Sequence, residues 1–450
     1  MANFCSECGA GLTGSKRFCP ECGAPVAQPA CDSEFTTAEP EDGSPASSPH
    51  ETVASPTDLT VGDITGDQLR ALARHLDPDT RRFVAWHPST PADVLATLAT
   101  DRDGKVRIAA AGNPSTPPEV LRALVTDKPQ FRSTERDVCV QVVQNPSTPA
   151  DVLRALTAIE DMRPAIAASP LTPGELLATL AYDSDFGVMA LVAQNPSTPT
   201  DVLTALATGT INPLSYASAD AAANPATPVD ILRKLASDPT DTDWENRDGV
   251  ARNPSTPIEL VLELACHPHQ NVRGGAASNP RIPTEVLRTL AADPDNYVRR
   301  EAARNTSAPS DVLRTLATDN DLYIRLAVAG NTAAGDVLRT LANDPDKHVR
   351  VAAAGNTSAG GDVLGTLATD PDWDIRQVVA GNQSTPATVL AKLSADSIWA
   401  VRVEVAGNTS APPDSLRVLA SEHDEYMRHN LTTNTSAPID AVFSALGVDT

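Results

Sequence analysis

A short phrase, Asn-Pro-Ser-Thr-Pro, returns along most of the chain, and its period limits the fold more than any other feature. Its variants are anchored at His87, Asn113, Asn145, Ser169, Asn195, Asn224, Asn253, Asn279, Asn305, Asn331, Asn356, Asn382, Asn408 and Asn434. The commonest spacing is 26 residues, and from Asn253 onward it is 26 throughout except for a single 25. A period of that size marks one supersecondary unit per repeat, too small to bury its own apolar face, so neighbours must stack. Composition agrees: aromatics make up 4% of the 450 residues, while the hydrophobic 41% is mostly Ala, Val and Leu, which suit thin stacked layers.

Each unit reads as two short helices. After Asn113, Thr116 is a natural N-cap, Pro117 fits the first helical position, and Glu119 follows the cap by three residues, which predicts a capping box. Val120, Leu121, Leu124 and Val125 then share one face. The second helix is clearest at Val298–Ala303, ending near Asn305. Isolated helices need about 12–15 residues to persist, so these depend on their neighbours.

The first residues differ. Cys5 and Cys8, then Cys19 and Cys22, form two Cys-x-x-Cys pairs, each preceded by Phe and followed by Gly. Four soft thiolates suit one tetrahedral zinc, whose binding can fold a segment lacking a core. The same four thiolates also suit an iron–sulfur cluster. The repeated Phe-Cys-x-x-Cys-Gly resembles the bacterial zinc-ribbon family, over about 6% of the chain. Residues 27–63 carry eight acids, no Lys or Arg and five prolines, the signature of a disordered linker. As a flexible coil its 37 residues would span about 33 Å. The expected organisation is therefore a zinc ribbon at 1–26, an acidic linker at 27–63 and an array of about 14 units at 64–450.

Function classes narrow in the same way. The formal charge of -23 opposes binding to phosphate, so no nucleic acid is expected as a partner. No apolar run approaches the roughly 18 residues of a membrane span, and Met1–Val26 holds no signal-peptide core, so the expected location is cytoplasmic. No phosphate-binding glycine loop, Gly-x-Ser-x-Gly or His-Glu-x-x-His is present, so no enzyme is expected. Cys266-His267-Pro268-His269 reads as drift, His267 replacing an Asp that recurs elsewhere; Cys139 reads as a small buried hydrophobe.

Three ladders run along the array. The anchor Asn, represented by Asn253, Asn279, Asn305, Asn331, Asn356, Asn382 and Asn408, is expected to bond open backbone at the turn. Asn305, Asn356, Asn408 and Asn434 also match the Asn-x-Ser glycosylation sequon. Asp293/Arg299, Asp319/Arg325, Asp344/Arg350 and Asp370/Arg376 recur as pairs, and each guanidinium is expected to bridge carboxylates of its own and the next repeat. Tyr297, Tyr323, His348 and Tyr426 sit two positions before that Arg or its equivalent, and Trp373 and Trp399 sit three before. Two readings stand: a ridge for a partner peptide, or packing over the seams between repeats.

The phrases Asn-Pro-Ser-Thr-Pro-x-Asp-Val-Leu and Asp-Pro-Asp-x-x-Val-Arg resemble the leucine-rich repeat variant family over about 85% of the chain. The second phrase also resembles the latter half of HEAT repeats. The resemblance implies an all-α, right-handed superhelical solenoid of paired short helices, one of each pair open to 3₁₀ geometry. Some members of that family carry an iron–sulfur module ahead of the array. The expected function is a non-enzymatic protein–protein interaction scaffold or adaptor, its partner extended or basic because the array alone carries about -15. The alternative is a redox or metal-responsive protein with an iron–sulfur cluster at the four cysteines.

Overall fold

The computed structural model describes residues 3–4, 11–12, 64–126, 133–211, 217–237, 244–422 and 424–447. The expectations for Cys5, Cys8, Cys19 and Cys22 and for the linker fall outside these residues. Asn3–Phe4 pairs antiparallel with Gly11–Leu12, Phe4 opposite Gly11, and these are the only strands among the described residues. Everything else regular is helical. Residues 64–366 form one compact unit, and residues 367–447 lie in a second.

The repeat is a short leading helix followed by a longer trailing one. In one unit the leading helix, Ser310–Leu316, starts after Pro309, whose extended backbone (φ -72°, ψ 155°) sets the entry. Asp311 lies in its first turn, where the helix dipole favours an acid, and Val312, Leu313 and Leu316 are buried. The trailing helix, Leu322–Gly330, is capped by the Asp321 carboxylate, which accepts from Tyr323 N at 2.8 Å. It buries Ile324, Ala327, Val328 and Ala329 and stops where Asn331 turns extended.

Trailing helices pack on trailing helices. In 64–366 the row runs from Pro78–Trp86 to Lys347–Gly355; in 367–447 it comprises Trp373–Gly381, Trp399–Gly407 and Glu425–Thr433. The approach is close enough that a Cβ on Gly249 would collide with the Ala219 carbonyl, and one on Gly275 with Asp248 and Ala251. This is an all-α solenoid of paired short helices.

The capping box expected at Thr116 and Glu119 does not form. The helix Pro118–Thr126 begins after Pro117, whose carbonyl accepts from Val120 N and Leu121 N. The Thr116 hydroxyl is buried instead and donates backward to the Ala110 carbonyl at 2.5 Å. Thr148, Thr198, Thr256 and Thr385 do the same, each to a carbonyl six residues earlier at 2.6 Å. The reason is supply and demand: the last carbonyls of a trailing helix are buried without intrahelical donors, and the hydroxyl is at hand. The 3₁₀ turn Thr332–Ala334 appears in the 25-residue unit, which lacks the proline and keeps only Leu338–Leu341 as leading α-helix.

Each anchor Asn closes a seam between repeats. The amide of Asn305 donates to Ala277 O at 2.7 Å and to Asn279 O at 3.0 Å, both in the preceding repeat, while its side-chain oxygen accepts from Ser307 N at 2.8 Å. Asn253, Asn279, Asn331 and Asn356 repeat that pattern, as do Asn408 and Asn434, with Asn382 O accepting from Asn408. The anchors are buried, so Asn305, Asn356, Asn408 and Asn434 are occupied donors rather than exposed glycosylation acceptors. Ser169 is the weak rung, reaching one carbonyl, that of Val143, at 3.3 Å.

Asn305→Ala removes the donor facing two buried carbonyls, each worth about 1–3 kcal/mol when orphaned. The expected outcome is a lower urea midpoint, with faster amide exchange in the flanking trailing helices Gln270–Ser278 and Asn296–Arg304 than in distant repeats. Uniform exchange along the array would count against a seam-specific role.

Candidate interaction surface

The ladder arginines sit in trailing helices and point across the seam. Arg299 places Nε and Nη2 at 2.9 and 3.4 Å from the two oxygens of Asp319 in the following repeat. Its Nη1 donates to the backbone carbonyls of Asp293 and Pro294 in its own repeat, at 2.9 and 3.1 Å. Arg325 treats Asp344 likewise, Arg376 takes Asp396, and Arg350 Nη1 takes Asp344 O at 2.9 Å. So the arginine holds one carboxylate, in the next repeat, and reaches its own repeat's Asp through the carbonyl rather than the carboxylate. The own-repeat carboxylate is already used: Asp293 accepts from Asp295 N at 2.9 Å and from Arg273 of the preceding repeat at 2.8 and 3.0 Å. A second ladder joins exposed leading helices, Arg70 to Asp93 at 3.2 Å and Arg288 to Asp311 at 2.9 Å among others. Its signal was the Arg that follows Leu in the leading helix. Being exposed, these pairs contribute little.

The six aromatic-row residues do not share one environment. Tyr323 and His348 are exposed at the starts of their trailing helices in 64–366. Trp373, Trp399 and Tyr426 hold the same station in 367–447, with exposures of 42%, 40% and 63%. The Trp399 and Tyr426 rings meet edge to face, centroids 5.6 Å apart. Tyr297 is half-buried: its ring lies over Gly274, where any Cβ would strike it, and its hydroxyl accepts from Arg252 Nη2. Arg252 also grips both Asp248 oxygens at 3.0 Å, and buried Glu301 takes Arg304 at 3.0 Å. Burial in this polar knot pushes the Tyr297 hydroxyl up to about 12. Phe186, exposed at the first position of Phe186–Gln194, belongs to the same station and was legible from its place after Asp185.

His267 and His269 perform jobs that Asp does elsewhere. His267 Nδ1 accepts from His269 N at 3.1 Å, its carbonyl takes Arg273, and His269 Nδ1 accepts from Asn271 N at 3.3 Å. The His269 ring stacks flat on Trp244 at 4.8 Å. Among the described residues no three His, Cys, Asp or Glu side chains gather as a metal site, and no helix is long and apolar enough to cross a membrane. Cys139 is buried in Ser133–Gln144.

Comparison with known proteins finds two family matches. Residues 4–26 match the zinc-ribbon domain, and residues 104–128 and 271–295 match the leucine rich repeat variant. The chain thus carries a zinc-ribbon domain at its N-terminus and leucine-rich-variant repeats behind it. A solved leucine-rich repeat variant, described as having a novel repetitive structural motif, is 25% identical over 49% of this chain and 87% of its own, with a TM-score of 0.35. An engineered protein is 20% identical over 86% of this chain and 98% of its own (TM-score 0.19). A chain from the Pds5–Scc1 complex is 13% identical over 84% and 70% (TM-score 0.24). No curated protein matches the chain.

The Arg376 hydrogen bonds hold the Asp396 carboxyl below the ordinary carboxylate value, against burial, which raises it. A depressed folded value means the pair's stabilisation is present above the unfolded value of about 4 and fades as pH falls through the folded one. Asp396→Asn is therefore expected to lower the thermal midpoint at pH 7, and the gap from the parent should close below about pH 4. A gap that stays constant down to pH 2 would show that the ionised carboxylate does not matter.

Proposed function

We propose that this chain is a non-enzymatic protein-interaction scaffold or adaptor. In this reading a zinc ribbon at 1–26 is joined by the acidic linker at 27–63 to the solenoid at 64–450. The supporting observation is the exposure of Tyr323, Trp373, Trp399 and Tyr426 at one station of the trailing helices, in a chain where aromatics are 4% of residues. Large aromatic side chains left in water at a repeated position suit recognition, because burying them against a partner supplies most of an interface's energy. Tyr297 serves the fold in this scheme, through Arg252, and His348 borders the row.

Cys5, Cys8, Cys19 and Cys22 would hold one structural zinc, which ties the segment together without catalysis. Two observations support that assignment: the zinc-ribbon match over 4–26, and the antiparallel pairing of Asn3–Phe4 with Gly11–Leu12, which brackets Cys5 and Cys8 in the sequence. Metal analysis of anaerobically purified protein should give one zinc per chain and no visible absorbance. Iron with sulfide and a brown chromophore would replace this assignment with the iron–sulfur reading and move the function to redox sensing.

Partner capture tests the scaffold itself. Alanine at Tyr323, Trp373, Trp399 and Tyr426 together should weaken capture by roughly thirty-fold or more, the loss expected for interface anchors, while circular dichroism stays that of the parent. Undiminished capture by the folded variant would remove the aromatic row from the interface.

A further inference from the structure

The C-terminal part of the row is built for a particular partner chemistry, an inference that rests on the scaffold reading above and adds a location and an occupant. Trp399 opens the trailing helix Trp399–Gly407, and Tyr426 is the second residue of Glu425–Thr433. These two helices pack on one another, and the ring contact at 5.6 Å makes Trp399 and Tyr426 one continuous aromatic surface. Trp373 occupies the same station in the trailing helix that packs on the other side of Trp399–Gly407. Both rings of the pair remain substantially in water. The 84° angle between them leaves open ring face, the part of an aromatic that attracts cations.

The surrounding charge is one-sided. Residues 367–450 hold eleven acidic and five basic side chains. Asp372 and Asp374 flank Trp373, and Asp424 and Glu425 precede Tyr426 at the helix starts, while Trp399 follows Ile398. Of the ladder cations here, Arg376 holds Asp396 at 2.7 Å and Arg402 holds Glu422 at 2.8 and 2.9 Å, while Arg428 follows Tyr426 by two residues in the same helix. The field at this edge is therefore negative, and it falls on ring faces that themselves favour positive charge. At the corresponding station in 64–366, Trp244 stacks on His269 but both are only partly exposed, Tyr297 is turned into the Arg252 knot, and no ring contact joins Tyr323 to a neighbour among the described residues.

We propose that Trp373, Trp399 and Tyr426 form a docking surface for an extended protein segment rich in Lys and Arg, whose cationic heads lie over the rings and against the carboxylates of the helix starts. Binding of this kind is steered by charge and weakened by salt.

A random dodecapeptide library displayed on phage and selected on the full chain tests this. Recovered peptides should be enriched in Lys and Arg over Asp and Glu. A recovered basic peptide, synthesised with a fluorescent label, should bind the Trp399→Ala/Tyr426→Ala chain at least tenfold more weakly than the parent, and more weakly at 0.5 M salt than at 0.1 M. Trp86→Ala, an exposed tryptophan elsewhere in the array, should leave affinity unchanged. If the double variant melts early, Glu425→Lys provides the second measurement, with the same loss expected. Recovered peptides without a basic bias, or basic peptides indifferent to Trp399, Tyr426 and Glu425, would overturn the proposal while leaving the scaffold reading in place. Recovery of no peptides at all would count against both.

Discussion

A helix of nine residues ends with carbonyls that no donor within it can reach, and in a stack of such helices those carbonyls are buried. Here the donor comes from the next repeat. The anchor Asn amide reaches back to a terminal carbonyl of the preceding trailing helix and to the preceding anchor's own carbonyl, as Asn305 does with Ala277 and Asn279. A repeat without its successor therefore leaves buried acceptors unmet, and stacking follows as a requirement. Because the bond is made to the stacked neighbour, the intervening chain length is immaterial to it. Asn145 meets Ala111 and Asn113 across 34 and 32 residues with the same geometry that Asn305 has across 28 and 26.

The arginine rungs act on the same seam from the other end of the trailing helix. A guanidinium that grips backbone in its own repeat and a carboxylate in the next has little freedom to slip, so the pair sets register. The carboxylate is busy too, capping its own turn while it holds the arginine. The capping half of that use is met at His267 as well: an imidazole nitrogen supplies the turn's acceptor, as it does for His269 N. These rungs are partly sheltered, and their contribution depends on the carboxylates staying ionised.

With the seams satisfied internally, what remains on the surface is available for recognition. The acidic excess and the exposed rings at the trailing-helix starts lie outside the Asn and Arg rungs.

The period, the pairing of short helices, the apolar positions and the anchor Asn were legible in the sequence, because each depends on residues within one turn or on simple recurrence. Thr116 was misplaced by that same local logic: the capping box is a rule about neighbours in sequence, whereas the hydroxyl answered a buried carbonyl. The Arg ladder was visible as a motif, but which carboxylate each arginine would hold depended on how one repeat sits on the next. The aromatic row looked uniform as letters. Only the tertiary structure divided it, because Gly274 leaves room for the Tyr297 ring and Arg252 offers its hydroxyl a bond, whereas Trp399 and Tyr426 meet each other in solvent. Sequence determines what each repeat can bond; the contacts about 26 residues away decide which bonds are made, since register between layers is a property of the stack.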